Sequence, residues 1–267
     1  MTGSRQSTHP WFDPPAPRAI AHRGGMAYPP NRGIENSLQA FANAVRLGYR
    51  YLETDVHASR DGVVFAFHDQ TLDRLTDRRG RIRDLPAEQV AQARIGGREP
   101  VPLLIELLEA FPDIRLNIDV KDETAIEPCV RVLRQANALG RVCIASFSTR
   151  RLRRLRHLLG SSATSSLGSA EVAALRLGPV DVVRSLGRRR GASCAQVPHR
   201  AGPLTVVDER FVHRSHDLGL EVHVWTVDAP AQMHALLDLG VDGLITDEIQ
   251  TLKDVLVQRG QWDGMGP

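Results

Sequence analysis

The sequence predicts an α/β protein, a closed (β/α)8 barrel with a small excursion above the barrel after its second strand. From Arg18 onward, short β-rich runs alternate with helix-length amphipathic segments, and repeated βα units of this size build a parallel sheet. Several helical segments end on a glycine before the next strand: Gly48, Gly140, Gly160, Gly219 and Gly240 sit where a positive φ is needed. Eight such units in roughly 240 residues fit a closed barrel better than an open sheet.

In order, strands are predicted at Arg18–Ala21, Tyr49–His57, Val63–Phe67, Ile114–Val120, Val142–Ser146, Ala163–Leu167, Ala195–Val197, Glu221–Val227 and Gly243–Thr246. Helices are predicted at Ser37–Leu47, Leu103–Phe111, Thr124–Ala138, Thr149–Leu159, Ala170–Arg176, Glu209–Leu218, Ala231–Leu239 and Ile249–Gln258. Residues 1–17, with Pro10, Pro14, Pro15 and Pro17, lack the apolar stretch of a signal peptide and read as a flexible polar arm. The barrel is assigned to residues 18–259 and a C-terminal tail to 260–267. From about residue 69 to about 101 the chain is turn-rich and charged, with Asp77-Arg78-Arg79-Gly80 and Gly96-Gly97; this is the excursion.

Of the 267 residues 42% are hydrophobic and 24% charged, with a net charge of +3, which supports a real core and excludes general disorder. No apolar run approaches the ~20 residues of a bilayer span, so no stable membrane insertion is expected. Cys129, Cys143 and Cys194 have neither metal-ligand spacing nor a plausible disulfide framework. They read as small buried hydrophobes of a reducing compartment, which predicts a cytoplasmic location. The pI of 9.0 comes from 32 arginines against two lysines, Lys121 and Lys253. Arginine is the default cation of this chain, so its abundance is poor ground for a nucleic-acid partner, and Lys121 is the more informative residue. The basic stretches also lack the interleaved aromatic residues of a single-strand binder or nuclease, and no nucleic acid is expected as a partner.

Glu53 and Asp55 lie two apart on a predicted strand, so both side chains face one way, separated by ~7 Å of backbone. At the C-terminal end of a barrel strand they lie on the face where such barrels do chemistry. By themselves they fit a metal site or arginine ion pairs equally well. In Leu116-Asn117-Ile118-Asp119-Val120-Lys121 the polar residues alternate with apolar ones. Polar side chains lining a strand interior are costly unless a ligand or cation satisfies them. Asp119 joins Glu53 and Asp55 as a third hard oxygen ligand, with no soft ones. That donor set suits one divalent cation, Mg²⁺ or Ca²⁺. Lys121 adds a point charge for a phosphate. His22 and His68 end extended runs and can exchange protons near neutral pH, provided the fold brings them together. Arg23 can hold a phosphate in bidentate fashion, and Gly24 and Gly25 can let a ligand approach the backbone.

The ordered series His22-Arg23-Gly24, Glu35-Asn36-Ser37, Glu53-x-Asp55-Val56, Asp61-Gly62, His68-Asp69, Asn117-Ile118-Asp119-Val120-Lys121, Trp225-Thr226-Val227 and Gly243-Leu244-Ile245-Thr246-Asp247 closely resembles the glycerophosphodiester phosphodiesterase family. The resemblance runs from about Arg18 to about Arg259. It implies a TIM barrel with one divalent metal that hydrolyses glycerophosphodiesters to glycerol 3-phosphate and an alcohol. It further implies His22 and His68 as the acid–base pair, Glu53, Asp55 and Asp119 as metal ligands, and Arg23 and Lys121 as phosphate holders. The chain departs from the family pattern at Ile34, where proline is usual, in a longer loop from His22 to Glu35, and at Glu248, another position where proline is frequent. Asp119 is one methylene shorter than the glutamate more often found as the third ligand, which bears on metal affinity.

Trp225 reads either as a cover over the substrate glycerol or as core filling. His57 shares the face of Glu53 and Asp55 further along the strand and reads as structural rather than as a support to the site. Arg150–Arg156 reads as an outer barrel helix with a solvated face rather than a membrane contact. His199, His213 and His216 have no assigned role. A lysophospholipase D-like enzyme would need an apolar entrance, and the excursion has few large apolar residues. The expected substrate is therefore a water-soluble, small-molecule glycerophosphodiester. A non-catalytic ligand-binding barrel would lack a histidine or a carboxylate, and here the set is complete.

Overall fold

The computed structural model of the chain describes residues 9–13, 15–179 and 191–265. In chain order its strands are β1 (Arg18–His22), β2 (Tyr51–Ala58), β3 (Val64–Ala66), β4 (Arg94–Ile95), β5 (Glu99–Pro100), β6 (Arg115–Val120), β7 (Val142–Ala145), β8 (Thr164–Ser166), β9 (Ala192–Pro198), β10 (Arg200–Ala201), β11 (Leu204–Thr205), β12 (Glu221–Trp225) and β13 (Gly243–Thr246). Parallel pairing runs β1-β2-β6-β7-β8-β9-β12-β13 and back to β1, which closes the eight-stranded barrel that the sequence predicts. The predicted strand at Val63–Phe67 becomes β3, antiparallel to β2 and outside the ring.

The helices are α1 (Leu38–Arg46), α2 (Ala87–Ala91), α3 (Leu104–Ala110), α4 (Ile126–Gln135), α5 (Thr149–Leu159), α6 (Ser169–Leu177), α7 (Glu209–Asp217), α8 (Pro230–Asp238) and α9 (Ile249–Gln258). α1 starts where the Ser37 hydroxyl accepts from the Ala40 amide, and α7 where Asp208 accepts from Phe211, each satisfying an otherwise unpaired N–H. Outward-facing strand residues such as Leu52, Leu116, Val222 and Leu244 pack beneath the helices, while alternate residues point into the barrel. Gly48, Gly160, Gly219 and Gly240 do take positive φ, but Gly140 does not; Asn137 (φ 48°) adopts the left-handed conformation there instead. Gly243 is needed for a different reason, because a Cβ there would meet His223 Cδ2 at 2.9 Å inside the barrel.

The expectation of a loose arm at residues 1–17 needs correction where the chain is described. Trp11 is fully buried and Phe12 nearly so, and both close the bottom of the barrel against Ile20, Tyr51, Cys143, Cys194 and Ile245. Trp11 Nε1 donates to the Leu116 carbonyl at 3.3 Å, and the Tyr51 hydroxyl donates to the Trp11 carbonyl at 2.8 Å. Residues 1–8 lie outside the described residues. The tail is likewise docked: Trp262 packs edge-on against Tyr49, and the Met265 amide donates to the Gly48 carbonyl.

Arg18 governs this closed end. Its guanidinium grips Glu221 through Nε at 2.8 Å and Nη2 at 2.6 Å, and also donates to the Tyr51 hydroxyl and the Phe12 carbonyl. Burial acts against the Glu221 carboxylate, but His223 and Arg18 outweigh it and hold its pKa below the usual carboxylate range. Arg18→Met removes one partner of a buried pair and leaves the other charged. A loss of about 3 kcal/mol in urea unfolding is expected, the low end for such pairs because His223 still bonds Glu221. A loss within 0.5 kcal/mol of zero, the range typical of surface substitutions, would show the pair to be structurally idle.

The excursion buries Leu72, Ile82, Val90 and Ile95 fully, in a cluster shared with Ile34, Ala40, Phe65 and Phe67. Its apolar residues are therefore turned inward rather than toward the barrel mouth. α5 is the expected outer helix: Leu152, Leu155 and Leu159 are buried, while Arg150, Arg153 and Arg154 are exposed. Among the described residues no helix is long and apolar enough to cross a membrane.

Candidate active site

A cavity of about 490 Å³ opens at the C-terminal ends of the barrel strands. It is lined by His22, Arg23, Glu53, Asp55, His68, Asp119, Lys121 and Trp225, so the fold gathers every residue singled out for chemistry in the sequence. β1 delivers His22 and the turn after it Arg23; β2 delivers Glu53 and Asp55; β6 delivers Asp119 and, one residue beyond its end, Lys121. The register pairs Asp55 with Asp119 across β2 and β6, which sets two carboxylates side by side.

Each histidine is held at Nδ1 by a carboxylate, Asp247 Oδ1 for His22 at 2.8 Å and Asp69 Oδ1 for His68 at 2.7 Å. That arrangement fixes the ring and leaves Nε2 for proton transfer. His22 Nε2 lies 3.8 Å from Glu53 Oε2. Burial lowers the His22 pKa, but Glu53 and Asp247 outweigh it and the ring titrates above its ordinary value. Glu53 is raised to about 7 by burial and by the neighbouring Asp55 charge. Asp55 goes the other way: burial would raise it, but Lys121 and Arg23 hold it ionised below the usual carboxylate range.

Lys121 Nζ stands 2.7 Å from both Asp55 Oδ1 and Asp119 Oδ2. Burial would lower its pKa, but the two carboxylates raise it, and the ammonium stays charged. Arg23 Nη1 donates to Glu35 Oε1 at 3.1 Å, and its Nε lies 3.1 Å from Asp55 Oδ2 without hydrogen-bond alignment. Asp119 Oδ1 is buried with no hydrogen-bond partner. Among the described residues, no group of three or more His, Cys, Asp and Glu side chains is drawn together closely enough to hold a metal ion.

Sequence reasoning did not assign roles to Glu35, Asn36, Asp69, Arg74 or Asp247, yet all five position the site. Arg74, from the excursion, bonds Asp69 at 2.6 Å and Glu35 at 2.9 Å, and so joins His68 to the Arg23 cluster. Those contacts, Arg74 first, bring Asp69 down to about 2. Asn36, with φ 61°, donates to Asp55 Oδ2. Glu35-Asn36 and Asp247 stood in recognised motifs, which was the available signal; nothing local marked Arg74 among so many arginines. His57 is buried away from the cavity, its Nε2 3.1 Å from the His68 carbonyl, and burial lowers its pKa. Gly24 and Gly25 serve packing rather than ligand approach, since a Cβ would meet the Ala40 backbone at 2.9 Å and the Ile249 side chain at 2.4 Å. Trp225 lines the cavity edge-on to Phe147, centroids 5.6 Å apart. His199, His213 and His216 take no part.

The model of the glycerophosphoryl diester phosphodiesterase family matches residues 22–251. The chain belongs to this family. It is 43% identical over 253 residues to the Mycobacterium tuberculosis protein named probable glycerophosphodiester phosphodiesterase 2, covering 92% of this chain and 93% of that one. It is 28% identical over 255 residues to a glycerophosphodiester phosphodiesterase of Caldanaerobacter subterraneus, covering 90% and 98%. The fold matches an Oleispira antarctica phosphodiesterase, crystallised with the product sn-glycerol-3-phosphate, at a TM-score of 0.77 and 22% identity over 91% of this chain and 97% of that one. The chain is thus an enzyme, a phosphodiesterase of this family, built on a TIM barrel.

Proposed function

We propose that the enzyme hydrolyses glycerophosphodiesters to a glycerol 3-phosphate and an alcohol, with His22 and His68 as general acid and base and one divalent cation, Mg²⁺ or Ca²⁺, as cofactor. The observation that carries this reading is the pair of carboxylate-held imidazoles on one cavity with Arg23 and Lys121. One imidazole takes the proton of the attacking nucleophile as its oxygen bonds to phosphorus. The other gives a proton to the leaving alkoxide as the phosphorus–oxygen bond breaks. Arg23, oriented by Glu35, and Lys121 hold the phosphate oxygens.

The cation reading rests on donor chemistry. Glu53, Asp55 and Asp119 supply only hard oxygens, Asp119 Oδ1 has no partner, and burial together with the Asp55 charge makes the Glu53 carboxylate costly without a cation. A bound cation supplies Lewis-acid stabilisation of the charged phosphoryl group. Three unlinked, buried cysteines, two of them 3.8 Å apart, fit a reducing compartment and support a cytoplasmic location. Product analysis on glycerophosphocholine, glycerophosphoethanolamine and glycerophosphoglycerol, with and without divalent cation, tests the reading. Release of the headgroup alcohol with a glycerol phosphate is expected; choline phosphate and free glycerol would reverse the bond assigned.

A further inference from the structure

The floor of the catalytic cavity is a hydrogen bond that spans the barrel. Gln196, on β9, donates through Nε2 to Asn117 Oδ1, on β6, at 3.0 Å, with β7 and β8 lying between the two strands. Both residues line the cavity. Asn117 precedes Asp119 by two residues on the same strand, which sets it ~7 Å further from the mouth, toward the closed end. Gln196 is held from its other side as well. Its Nε2 stands 3.3 Å from Nδ1 of His223, its register partner on β12. The fully buried His223 in turn lies 3.0 Å from Glu221, the carboxylate that Arg18 grips at the closed end. This run of contacts from Arg18 to the floor leaves the Gln196 amide little freedom. Asn117 is only 3% exposed, and its Oδ1 is engaged by Gln196. Among the described residues its Nδ2 has no hydrogen-bond partner. A buried N–H left unpaired is costly unless a ligand meets it.

We infer that Asn117 Nδ2 binds the terminal hydroxyl of the substrate's glycerol, and that Gln196 is the positioning residue that turns this N–H toward the cavity. The inference rests on the phosphodiesterase reading above and adds a specificity contact to the same site. With the phosphate at Arg23 and Lys121, one half of the diester points down toward Asn117. An N–H donor on the floor needs an oxygen acceptor, and the glycerol half carries one at its far end. A choline or ethanolamine headgroup ends instead in a cation, which offers Nδ2 no lone pair. The glycerol hydroxyl next to the phosphate-bearing carbon stays near the phosphate, so the terminal one is the group that reaches the floor. Gln196 matters because an amide can present either end. By occupying Oδ1 it leaves only the NH2 of Asn117 for the substrate.

The test compares kcat/KM for glycerophosphocholine with that for propane-1,2-diol phosphocholine, which lacks only the terminal hydroxyl and keeps the one beside the phosphate. Wild type is expected to favour glycerophosphocholine by at least about fivefold, because the analogue leaves the buried Asn117 donor unpaired. Asn117→Ala is expected to bring that ratio below about twofold. Gln196→Met keeps the volume but frees the Asn117 amide to turn, and should cut the ratio by at least about half. A substitution that merely loosens the fold lowers both substrates together and leaves their ratio alone. A wild-type ratio under about fivefold in active enzyme overturns the inference and leaves the phosphodiesterase reading standing. A ratio that survives in Asn117→Ala also overturns it, because the hydroxyl is then read elsewhere. A ratio that survives in Gln196→Met overturns the positioning role. Should Asn117→Ala not fold, Gln196→Met, at a half-buried position, decides by the same measurement. If wild type hydrolyses neither compound, the phosphodiesterase reading fails. Calorimetric affinities for glycerol 3-phosphate and propane-1,2-diol phosphate then decide the floor alone, and equal affinities overturn it. The same pair supplies the ratio wherever the analogue turns over too slowly to measure.

Discussion

Replacing His22 with alanine is expected to lower kcat by at least ~10²-fold with the fold intact, and His68→Ala to do the same, because each removes a proton-transfer group. The fold should survive, since both rings lie at the open mouth and neither belongs to the closed end where Arg18, Glu221 and Trp11 pack. Circular dichroism and urea unfolding check that point beside the kinetics. His57→Ala is the control. Its ring is buried behind the cavity and touches only the backbone of His68 among the proposed catalytic groups. Its replacement should cost far less in kcat. Equal losses at His57 and His68 would show that the wrong histidine was paired with His22. The carboxylates behind the rings predict a graded effect as well. Asp69→Asn leaves His68 without its charged partner at 2.7 Å, which weakens ring orientation but keeps Nε2, so the loss should lie between those of His57→Ala and His68→Ala.

Most barrel staves were legible because they are short, largely apolar runs with a turn signal behind them, and alternation told which side chains face inward; β8, Thr164-Ser165-Ser166, has no apolar residue to mark it. Glu53, Asp55, Asn117, Asp119 and Lys121 stood out for that reason: a polar residue on the interior phase of a strand is a local signal. The residues that hold them in place were not local. Asp247 reaches His22 from 225 residues away, and Arg74 reaches Glu35 across 39. Such pairings depend on closing the ring and docking the excursion, which no window of sequence contains. The same reason hid Trp11 and Phe12, whose burial depends on the bottom of a barrel formed by strands up to 234 residues later. The excursion was judged by its composition alone. Composition could show that it holds little apolar surface, but not that its few apolar residues pack inward against Ile34, Ala40, Phe65 and Phe67 while α6 and the β10–β11 hairpin line the mouth.

Chelation with EDTA is expected to abolish turnover, and Mg²⁺ or Ca²⁺ to restore it. Glu53 is buried beside the Asp55 charge, and both push its pKa up to about 7 against the pull of His22, Arg23 and Lys121. A proton therefore sits on Glu53 below neutrality in the cation-free protein, and a cation that takes this oxygen must displace it. Metal affinity measured by calorimetry should rise with pH toward about 7 and level off above it, falling about tenfold per pH unit below. Glu53→Gln should remove that pH dependence together with most of the affinity. Stability gives an independent readout. A carboxyl whose folded pKa is raised makes the folded state the better proton binder, so stability declines as pH rises from about 4.5, the unfolded value, through about 7. Saturating Mg²⁺ should suppress that decline in urea unfolding, because the cation takes over the compensation that the proton supplied. Full activity in rigorously metal-free protein would sink the cation assignment. Metal binding indifferent to pH and to Glu53→Gln would remove Glu53 from the ligand set.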